Sequence, residues 1–400
     1  MKLIKDSKPV KVQLSRNLVK TIKQGHAWVY ADALRQMPEV EPGTPAILLD
    51  NRGGREIAKG FLDPTGPIAL RICTTNPGVS LNHTWAKMTM QQAIQQRKLL
   101  FSPFTDTNAY RLFNGEGDGL PGLVCDIYDH SAVVVTDGTA PDHFWQVDQI
   151  ANLLQETLDI TQVFYKSRSD HLNQTVPILG GSSEPLVFFK ENNLTFTANL
   201  IEGQKTGFFL DQRDNRAAIQ PYSSGKTVLN VFGYTGGFSV YAGKSGAEHV
   251  TTLDLAAPAL KAACNHWEYN HLPVERHTTI NSDAFKFLSQ ASQAQEQWEM
   301  VILDPPSFAP SEASVPQAET AYTRLISLGS RVTAPKGILA AASCSSHIHQ
   351  QQFLKLIENG LSASRRSGIL LGVYGQPNDH PAPLVMPELR YLKFVLLQLD

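Results

Sequence analysis

The sequence predicts an α/β protein whose carboxyl-terminal half is a doubly wound sheet, preceded by a small β-rich segment and an α+β segment. From about residue 199 onward, apolar strand-like runs alternate with helix-like segments, as in a parallel sheet covered on both faces. The first 75 residues instead contain short apolar runs separated by turns such as Pro42-Gly43 and Gly53-Gly54, which favours a small barrel or sandwich. Since the chain has 400 residues, we expect several domains, at 1–75, 76–198 and 199–400.

Composition restricts the class of protein. The chain is 42% hydrophobic and 18% charged, and no apolar run approaches the length of a membrane span, so we expect a globular, cytoplasmic protein without membrane partners. The first residues lack the apolar segment of a secretory signal. The four cysteines are far apart and form no C-x-x-C pair, which argues against a zinc ribbon or a disulfide framework. No metal site is predicted.

Positive charge is concentrated at the start of the chain. Residues 1–75 contain 12 Lys/Arg against 7 Asp/Glu, a net charge of +5, whereas the whole chain carries −2. Such a segment indicates a polyanionic partner such as RNA, although a solvated lysine-rich surface has the same composition. The candidate contacts are Lys20, Lys23 and His26. The aromatic residues of Gly25-His26-Ala27-Trp28-Val29-Tyr30 could stack on bases or pack into the core of the small domain.

The middle segment is predicted to be an α+β module without a catalytic constellation. Its pattern indicates a helix at about 84–100, strands at about 123–128 and 132–136, and a helix at about 144–158. We therefore expect the catalytic residues to lie in residues 199–400.

A glycine-rich turn follows the strand predicted to be central in the doubly wound sheet. The apolar run Val228-Leu229-Asn230-Val231 leads into Phe232-Gly233-Tyr234-Thr235-Gly236-Gly237. Glycines let a backbone turn sharply and approach a ligand closely. The spacing is not the dinucleotide fingerprint G-x-G-x-x-G, and a turn that only connects a strand to a helix would also be rich in glycine.

Acidic residues follow the next three predicted strands. Asp254 lies about 20 residues beyond the turn, where a nucleotide-type site places a carboxylate for ribose hydroxyls. Asp283, followed by Ala284, could accept from an adenine amino group. Asp304 precedes Pro305 and Pro306, which cannot extend a central strand, so Asp304 must lie at its carboxyl end. Because ligands of open α/β sheets bind at this edge, these strand ends predict one site.

Cys344 is the cysteine with a catalytic context, because it directly follows the apolar strand Gly337 to Ser343. A free thiol has a pKa of about 8.5, so a nucleophile needs a nearby cation, which His347 could supply. The alternative is a small buried residue beneath the site. A thiolate added to C6 of cytosine would activate C5 for methylation by a sulfonium donor, with Asp304 at the N3 edge of the base.

Several motifs together resemble the RlmI type of class I S-adenosylmethionine (SAM) dependent rRNA methyltransferases, which are large-subunit cytosine-5 enzymes. The similarity covers nearly the whole chain. It includes residues 25–30, similar to the family's PUA domain; 118–122, similar to its middle domain; and 209–216, 230–238, 304–308, 343–345, 379–381 and 391–393.

The resemblance implies a Rossmann-like methyltransferase domain, SAM as cofactor, 23S rRNA as substrate and often a homodimer. It implies Cys344 and Asp304 as catalytic residues. Cofactor-binding residues would be Asn230, Phe232, Gly233, Tyr234, Thr235, Gly236, Gly237, Asp254, Asp283, Ala284, Asp304, Gln212 and Arg213. The base would meet Pro305, Pro306 and Phe308, and the RNA would meet Lys20, Lys23 and His26.

Two other functions are consistent with the same residues. Asp304-Pro305-Pro306 is also similar to the motif of exocyclic amine methyltransferases, in which the carboxylate and the Pro305 carbonyl accept from an amino group of guanine or adenine and no cysteine is needed. An RNA-binding assembly factor with a vestigial SAM site would keep the basic segment but not the chemistry. A nicotinamide dehydrogenase fits less well, because the glycine spacing differs.

Overall fold

The computed structural model describes residues 2–168, 175–180 and 185–400. The chain divides into two units. Unit 1 comprises Met1–Asn193, Ala198–Leu210 and Asn378–Met386; unit 2 comprises Leu194–Thr197, Asp211–Pro377 and Pro387–Asp400.

The first part of unit 1 is β-rich, as predicted. Its elements are β1 (Val10–Gln13), α1 (Val19–Lys23), β2 (Trp28–Tyr30), β3 (Pro45–Leu49), β4 (Glu56–Leu62) and β5 (Ile68–Thr74). The strands form one sheet in the order β1-β3-β4-β5-β2. Val12, Val29, Leu48 and Leu70 are buried in its core. Trp28 donates from Nε1 to Glu116 at 2.7 Å, so this aromatic residue is fixed within unit 1.

The second part of unit 1 is the predicted α+β module. Its elements are α2 (His83–Phe101), β6 (Ala109–Asn114), β7 (Leu123–Tyr128), β8 (Ser131–Thr136), α3 (Thr139–Phe144), α4 (Val147–Thr157), β9 (Gln162–Ser167) and β10 (Thr175–Leu179). The sheet order is β10-β9-β8-β7-β6. The helix predicted at about 144–158 starts later, at Val147. Trp145 is buried and extended, and its indole donates to the Pro121 carbonyl at 3.0 Å, which keeps it out of the helix.

A segment from near the carboxyl terminus, Asn378–Met386, completes unit 1. Buried Arg97 makes two 2.7 Å hydrogen bonds to the carboxylate of Asp118, and it donates to the carbonyl of Asp379 at 2.9 Å. The carboxylate of Asp379 accepts from the backbone N–H of Arg111 at 2.9 Å. A Cβ at Gly117 would stand 1.8 Å from the carbonyl oxygen of Pro381, so only glycine allows this approach. This close contact explains why residue 117 is a glycine.

Two strands, β11 (Leu186–Glu191) and β12 (Leu194–Asn199), follow, and the chain passes between the units within β12. The remaining elements of unit 2 are α5 (Arg213–Ala218), β13 (Thr227–Val231), α6 (Gly237–Lys244), β14 (His249–Asp254), α7 (Ala257–Tyr269), β15 (His277–Asn281), α8 (Ala284–Gln293), β16 (Trp298–Leu303), α9 (Val315–Arg331), β17 (Thr333–Ser343), α10 (Gln350–Ala363), β18 (Gly368–Tyr374) and β19 (Lys393–Leu399).

These strands form a seven-stranded sheet in the order β15-β14-β13-β16-β17-β19-β18. The first five are parallel, and β19 is antiparallel to both of its neighbours, which confirms the doubly wound sheet and its antiparallel end. Successive residues of β13 enter different cores: Leu229 packs with α8, α9 and α10, and Val228 packs with α6 and α7. Because both faces are covered, β16 and β17 contain uninterrupted apolar runs, at 300–303 and 338–342.

The register brings the strand ends into line. Val231 pairs with Leu253 on one side and with Leu303 on the other, and Leu303 pairs with Ala341. The order of connections reverses at β13, and such a switch point opens a crevice at the carboxyl edge of a sheet. Among the described helices, none is both long and apolar enough to cross a membrane.

Candidate active site

The turn after β13 is strained. Phe232 and Tyr234 have positive φ angles of 61° and 46°, and Gly236 has 77°. A non-glycine residue in this region costs about 1–3 kcal/mol, so the surroundings must fix the turn. Two backbone hydrogen bonds do so: Gly233 donates to Leu253 at 2.9 Å, and Gly236 donates to Gly233 at 2.8 Å. The turn then enters α6 at Gly237.

Asp254 holds this turn from the neighbouring strand. One carboxylate oxygen accepts from the backbone N–H of Tyr234 at 2.9 Å, and the other accepts from Ala256 at 2.8 Å. The residue predicted to bind ribose therefore also orders the loop. Its contact with a ribose stays a prediction.

His266 on α7 supports the same turn. Its Nδ1–H donates to the carbonyl of Thr235 at 2.7 Å, and its Nε2 accepts from the backbone N–H of Thr197 at 2.9 Å. These partners require the neutral ring with the proton on Nδ1. Burial lowers the pKa of His266 to about 4, although both hydrogen bonds act in the opposite direction.

A buried polar chain runs from the central strand. Asn230 donates to the hydroxyl of Ser239 at 2.9 Å; that hydroxyl is 2.7 Å from Thr252, which lies 2.8 Å from Nε2 of His277. Within the described residues, the side-chain oxygens of Asn230 and Thr235 are buried and have no hydrogen-bond partner. A buried polar atom left in this state is costly, so it is a natural place for a ligand group to bind.

Asp283, the acidic residue that follows β15, also stabilises the start of a helix. Asp283 is exposed and caps α8, accepting from the backbone N–H of Lys286 at 2.9 Å, and Ala284 is buried as the first residue of that helix. The predicted contact with adenine stays a prediction.

Asp304 is half-buried directly after β16. Its carboxylate accepts from Nε2 of Gln212 at 2.9 Å, and Oε1 of Gln212 accepts from Asn215 at 2.6 Å. Arg213, at the start of α5, is buried and pairs with Asp214 at 3.2 Å. Gln212, directly before α5, thus supports Asp304 and is itself held by Asn215.

The residues predicted to contact the base follow Asp304 in the loop after β16. Pro305 is buried and Pro306 is exposed. Phe308 is half-buried, and its ring lies 4.8 Å from that of Tyr322 on α9.

Cys344 is half-buried directly after β17, which is the neighbour of β16. The next residue, Ser345, is fully buried, and its hydroxyl lies 3.0 Å from the hydroxyls of both Ser307 and Tyr322. It also accepts from the backbone N–H of Ala309 at 3.2 Å. One hydroxyl therefore ties the turn that carries Cys344 to the loop that carries the two prolines.

Lys393 was given no role in the sequence interpretation. It is buried, and its ammonium donates to the carbonyls of Ser345 and Tyr391, both at 2.6 Å. Burial lowers the pKa of Lys393 to about 8, whereas the charge of Cys344 acts to raise it. His347, which was considered as the cation for this cysteine, is exposed. Through the carbonyl of Ser345, the structure places the ammonium of Lys393 at the turn that carries Cys344.

The RNA-contact candidates belong to unit 1. Lys20 and Lys23 are exposed on α1, three residues apart, while Ile22 of the same helix is buried. His26 is half-buried, and its Nδ1 lies 3.1 Å from the carbonyl of Trp28. The remaining predicted residues lie at or near the carboxyl edge of the unit 2 sheet, except Gln212, which directly precedes α5, and Arg213, which begins it.

This edge fits SAM. The glycine-rich turn, the acidic residues at the ends of β14 and β15, and the unpartnered buried oxygens of Asn230 and Thr235 are suited to a nucleoside that carries polar groups. The site and fold define a class I, SAM-dependent methyltransferase. Accordingly, residues 166–363 match the model of the S-adenosylmethionine-dependent methyltransferase family, and residues 12–75 match that of the PUA-like domain.

The chain is similar to known proteins over nearly its full length. It is 37% identical to the ribosomal RNA large subunit methyltransferase of Deinococcus radiodurans, covering 98% of each chain. It is 32% identical to ribosomal RNA large subunit methyltransferase I of Alteromonas mediterranea, covering 97% of this chain and 98% of the other. SMU.776, a candidate methyltransferase solved in complex with SAH, superposes with a TM-score of 0.83 at 26% identity, covering 98% of this chain and 100% of the other. The chain therefore belongs to the ribosomal RNA large subunit methyltransferase family.

We expect Gly236→Ala to weaken SAM binding at least tenfold. A Cβ at this position would meet the Cβ of Ala263 at 2.8 Å as well as straining the φ angle, so the turn must move. Gly225→Ala is the matched control, because its φ angle is 66° and a Cβ there meets nothing within 4 Å. Calorimetric titration with SAM measures the affinity of each variant, and we expect the loss of affinity for Gly236→Ala alone. Equal affinities for both variants would contradict the role assigned to the turn.

We expect the stability of unit 2 to fall between pH 6.5 and about 4. The folded-state pKa of His266 is lowered to about 4, so below the ordinary value of 6.5 the unfolded chain takes up a proton that the folded chain refuses. The contribution is on the order of 2–3 kcal/mol. His277, whose pKa burial also lowers to about 4, adds to it. Urea unfolding across this pH range measures the free energy of unfolding. The decrease in this free energy at low pH should be smaller for His266→Gln than for the unaltered chain, and it should be unchanged for His347→Gln.

Proposed function

We propose that the protein forms 5-methylcytosine in 23S rRNA, with Cys344 as nucleophile and Asp304 at the N3 edge of the base. The observation that carries this proposal is the hydroxyl of Ser345, which joins the two turns that carry these residues. Thiol and carboxyl thus emerge from adjacent strands, whose spacing is about 4.8 Å. An amine methyltransferase would have no use for a half-buried thiol supported in this way.

The chain's residues can perform the chemistry in three steps. The Cys344 thiolate forms a bond to C6, and the C5–C6 π electrons move to C5, while a protonated Asp304 donates to N3. Bound SAM supplies the methyl group as an electrophilic sulfonium. C5 takes the methyl group, after which water accepts the C5 proton, the C5–C6 double bond forms again as the sulfur–C6 bond breaks, and N3 returns its proton to Asp304, so that the thiolate and the acid are both regenerated.

Large-subunit rRNA as the substrate is supported by the names of the relatives in Deinococcus and Alteromonas. The basic residues 1–75, with a net charge of +5, supply the electrostatic attraction that binding to a phosphate backbone requires. We assign RNA docking to this domain, base selection to 199–400 and a connecting role to 76–198. Association of two copies would double the basic surface.

The decisive measurement is nucleoside mass spectrometry of deproteinised large-subunit rRNA after incubation with the protein and isotope-labelled SAM. Labelled 5-methylcytidine is expected from the unaltered chain and from the control Cys264→Ala. Cys344→Ala should abolish it, because no sulfur can add to C6, and Asp304→Asn should reduce it at least 100-fold.

Full cytosine methylation by Cys344→Ala would contradict the thiol mechanism. Labelled methylguanosine or methyladenosine, lost in Asp304→Ala alone, would move the chemistry to Asp304 and Pro305. Absence of any label with SAM binding also lost would support an assembly factor.

We expect the double change Lys20→Gln, Lys23→Gln to weaken RNA binding without altering SAM affinity. Each lost phosphate contact should lower the slope of log affinity against log salt by about 0.7–0.9. Lys355→Gln is the control, since Lys355 is exposed on α10 and pairs with Glu358. Filter binding over a range of salt concentrations measures the RNA affinity and its salt slope for the double variant and for the control. An unchanged slope for the double variant would remove α1 from the RNA interface.

A further inference from the structure

Lys393 reaches the turn of Cys344 from the opposite strand direction. It is the first residue of β19, and it pairs in register with Ser343, the last residue of β17. Its side chain folds along this edge, and its ammonium donates to the carbonyls of Ser345 and Tyr391. Lys393 is 3% exposed. The ammonium is thus fixed at the turn that carries Cys344.

A buried ammonium requires compensation, because removal from water disfavours the charged form. Two carbonyl dipoles at 2.6 Å supply part of it, and a thiolate would supply a full opposite charge. The pKa of Lys393 reflects this balance, since burial lowers it to about 8 and Cys344 acts to raise it. Lys393 therefore remains mostly protonated at pH 7.

Groups from other elements also lie around this turn. From α9, the phenol of Tyr322 interacts electrostatically with Cys344, and burial raises the pKa of this phenol, so it stays neutral. From the loop after β16, the hydroxyl of Ser307 and the backbone N–H of Ala309 contact Ser345, while Asp304 at the start of that loop accepts from Gln212. From the segment before β19, the hydroxyl of Tyr391 donates to Asp211 at 2.7 Å.

We propose that Lys393 is a positioning residue that keeps Cys344 in the thiolate form and holds its turn through the carbonyl of Ser345. The sulfur–hydrogen bond breaks, the proton leaves to water, and the thiolate remains beside the ammonium. The catalytic value of this state rests on the function proposed above, in which the thiolate adds to C6. The electrostatic effect on the thiol does not depend on that function.

The test is the pH dependence of Cys344 alkylation by iodoacetamide, followed by peptide mass spectrometry on the full chain. Only the thiolate reacts, so the midpoint reports the thiol titration. We expect the midpoint to lie below the ordinary value of about 8.5. Lys393→Met should raise it by about 1–3 pH units, since a close opposite charge has an effect of this size, and should slow alkylation at pH 7 about tenfold or more.

Three controls make the experiment specific. Lys393→Arg keeps the charge and should keep a low midpoint. Lys336→Met, an exposed lysine at the other end of β17, should change nothing. Cys264 on α7 is an internal reference in every sample, because it is partly exposed and lies on a different element.

An unchanged midpoint in a folded Lys393→Met chain would overturn the proposal. If that variant does not fold, the unaltered chain decides, because a Cys344 midpoint at or above that of Cys264 contradicts a stabilised thiolate. The two proposals fail separately. A raised alkylation midpoint in Lys393→Met, together with full rRNA methylation by Cys344→Ala, would support the role of Lys393 and contradict the thiol mechanism. An unchanged midpoint in Lys393→Met, together with an inactive Cys344→Ala, would contradict the role of Lys393 and support the thiol mechanism.

Discussion

The parallel pairing of β14, β13, β16 and β17 is the constraint on which the site depends. In a parallel sheet, the register decides which residues leave the strands side by side. Here it aligns the residues that follow Val231, Leu253 and Leu303, so the strained turn, Asp254 and Asp304 emerge at one level. A slip of one residue in any strand would turn its terminal side chain to the other face of the sheet. The buried cores on both faces prevent such a slip.

The strained turn after β13 shows how the fold maintains an unfavourable conformation. Phe232 and Tyr234 adopt left-handed conformations that an isolated chain would leave. Asp254 binds the N–H of Tyr234 from the strand side, and His266 binds the carbonyl of Thr235 from the helix side. Both anchors are polar and buried or half-buried, so their hydrogen bonds exclude alternative geometries. The turn is therefore formed before a ligand arrives.

Much of the fold could be predicted from the sequence because it is recorded in local patterns. Apolar runs bounded by glycine or proline marked the strands, and the residues that end them, among them Asp304 and Cys344, were the candidates. The start of α4 was predicted too early, at about residue 144, because the burial of Trp145 depends on a distant carbonyl, that of Pro121.

His266, Ser345 and Lys393 were not found, and the reason is the same for each. Their partners lie on other elements, and no spacing in the chain reports those contacts. His266 resembles any helix residue, and Lys393 at the start of an apolar strand resembles a solvated strand end. The cation was sought at His347, near Cys344 in sequence, but it comes from 49 residues further along the chain. The resemblance included Ser345, in 343–345, and Lys393, in 391–393, but it gave neither of them a role.

The antiparallel direction of β19 explains why the cation can come from a strand at all. In the parallel strands β13 to β17, first residues lie at the amino edge, and only last residues reach the crevice. A strand of opposite direction begins where its neighbour ends, so its first side chain arrives at the carboxyl edge. Ser343 and Lys393 are paired in this way. A loop could also carry a lysine to this edge, but a loop side chain keeps rotational freedom, whereas Lys393 is held by a strand ladder and two carbonyls. The antiparallel end of the sheet thus places a rigid, poorly hydrated positive charge at the turn that carries Cys344, and such a charge favours ionisation of a nearby thiol.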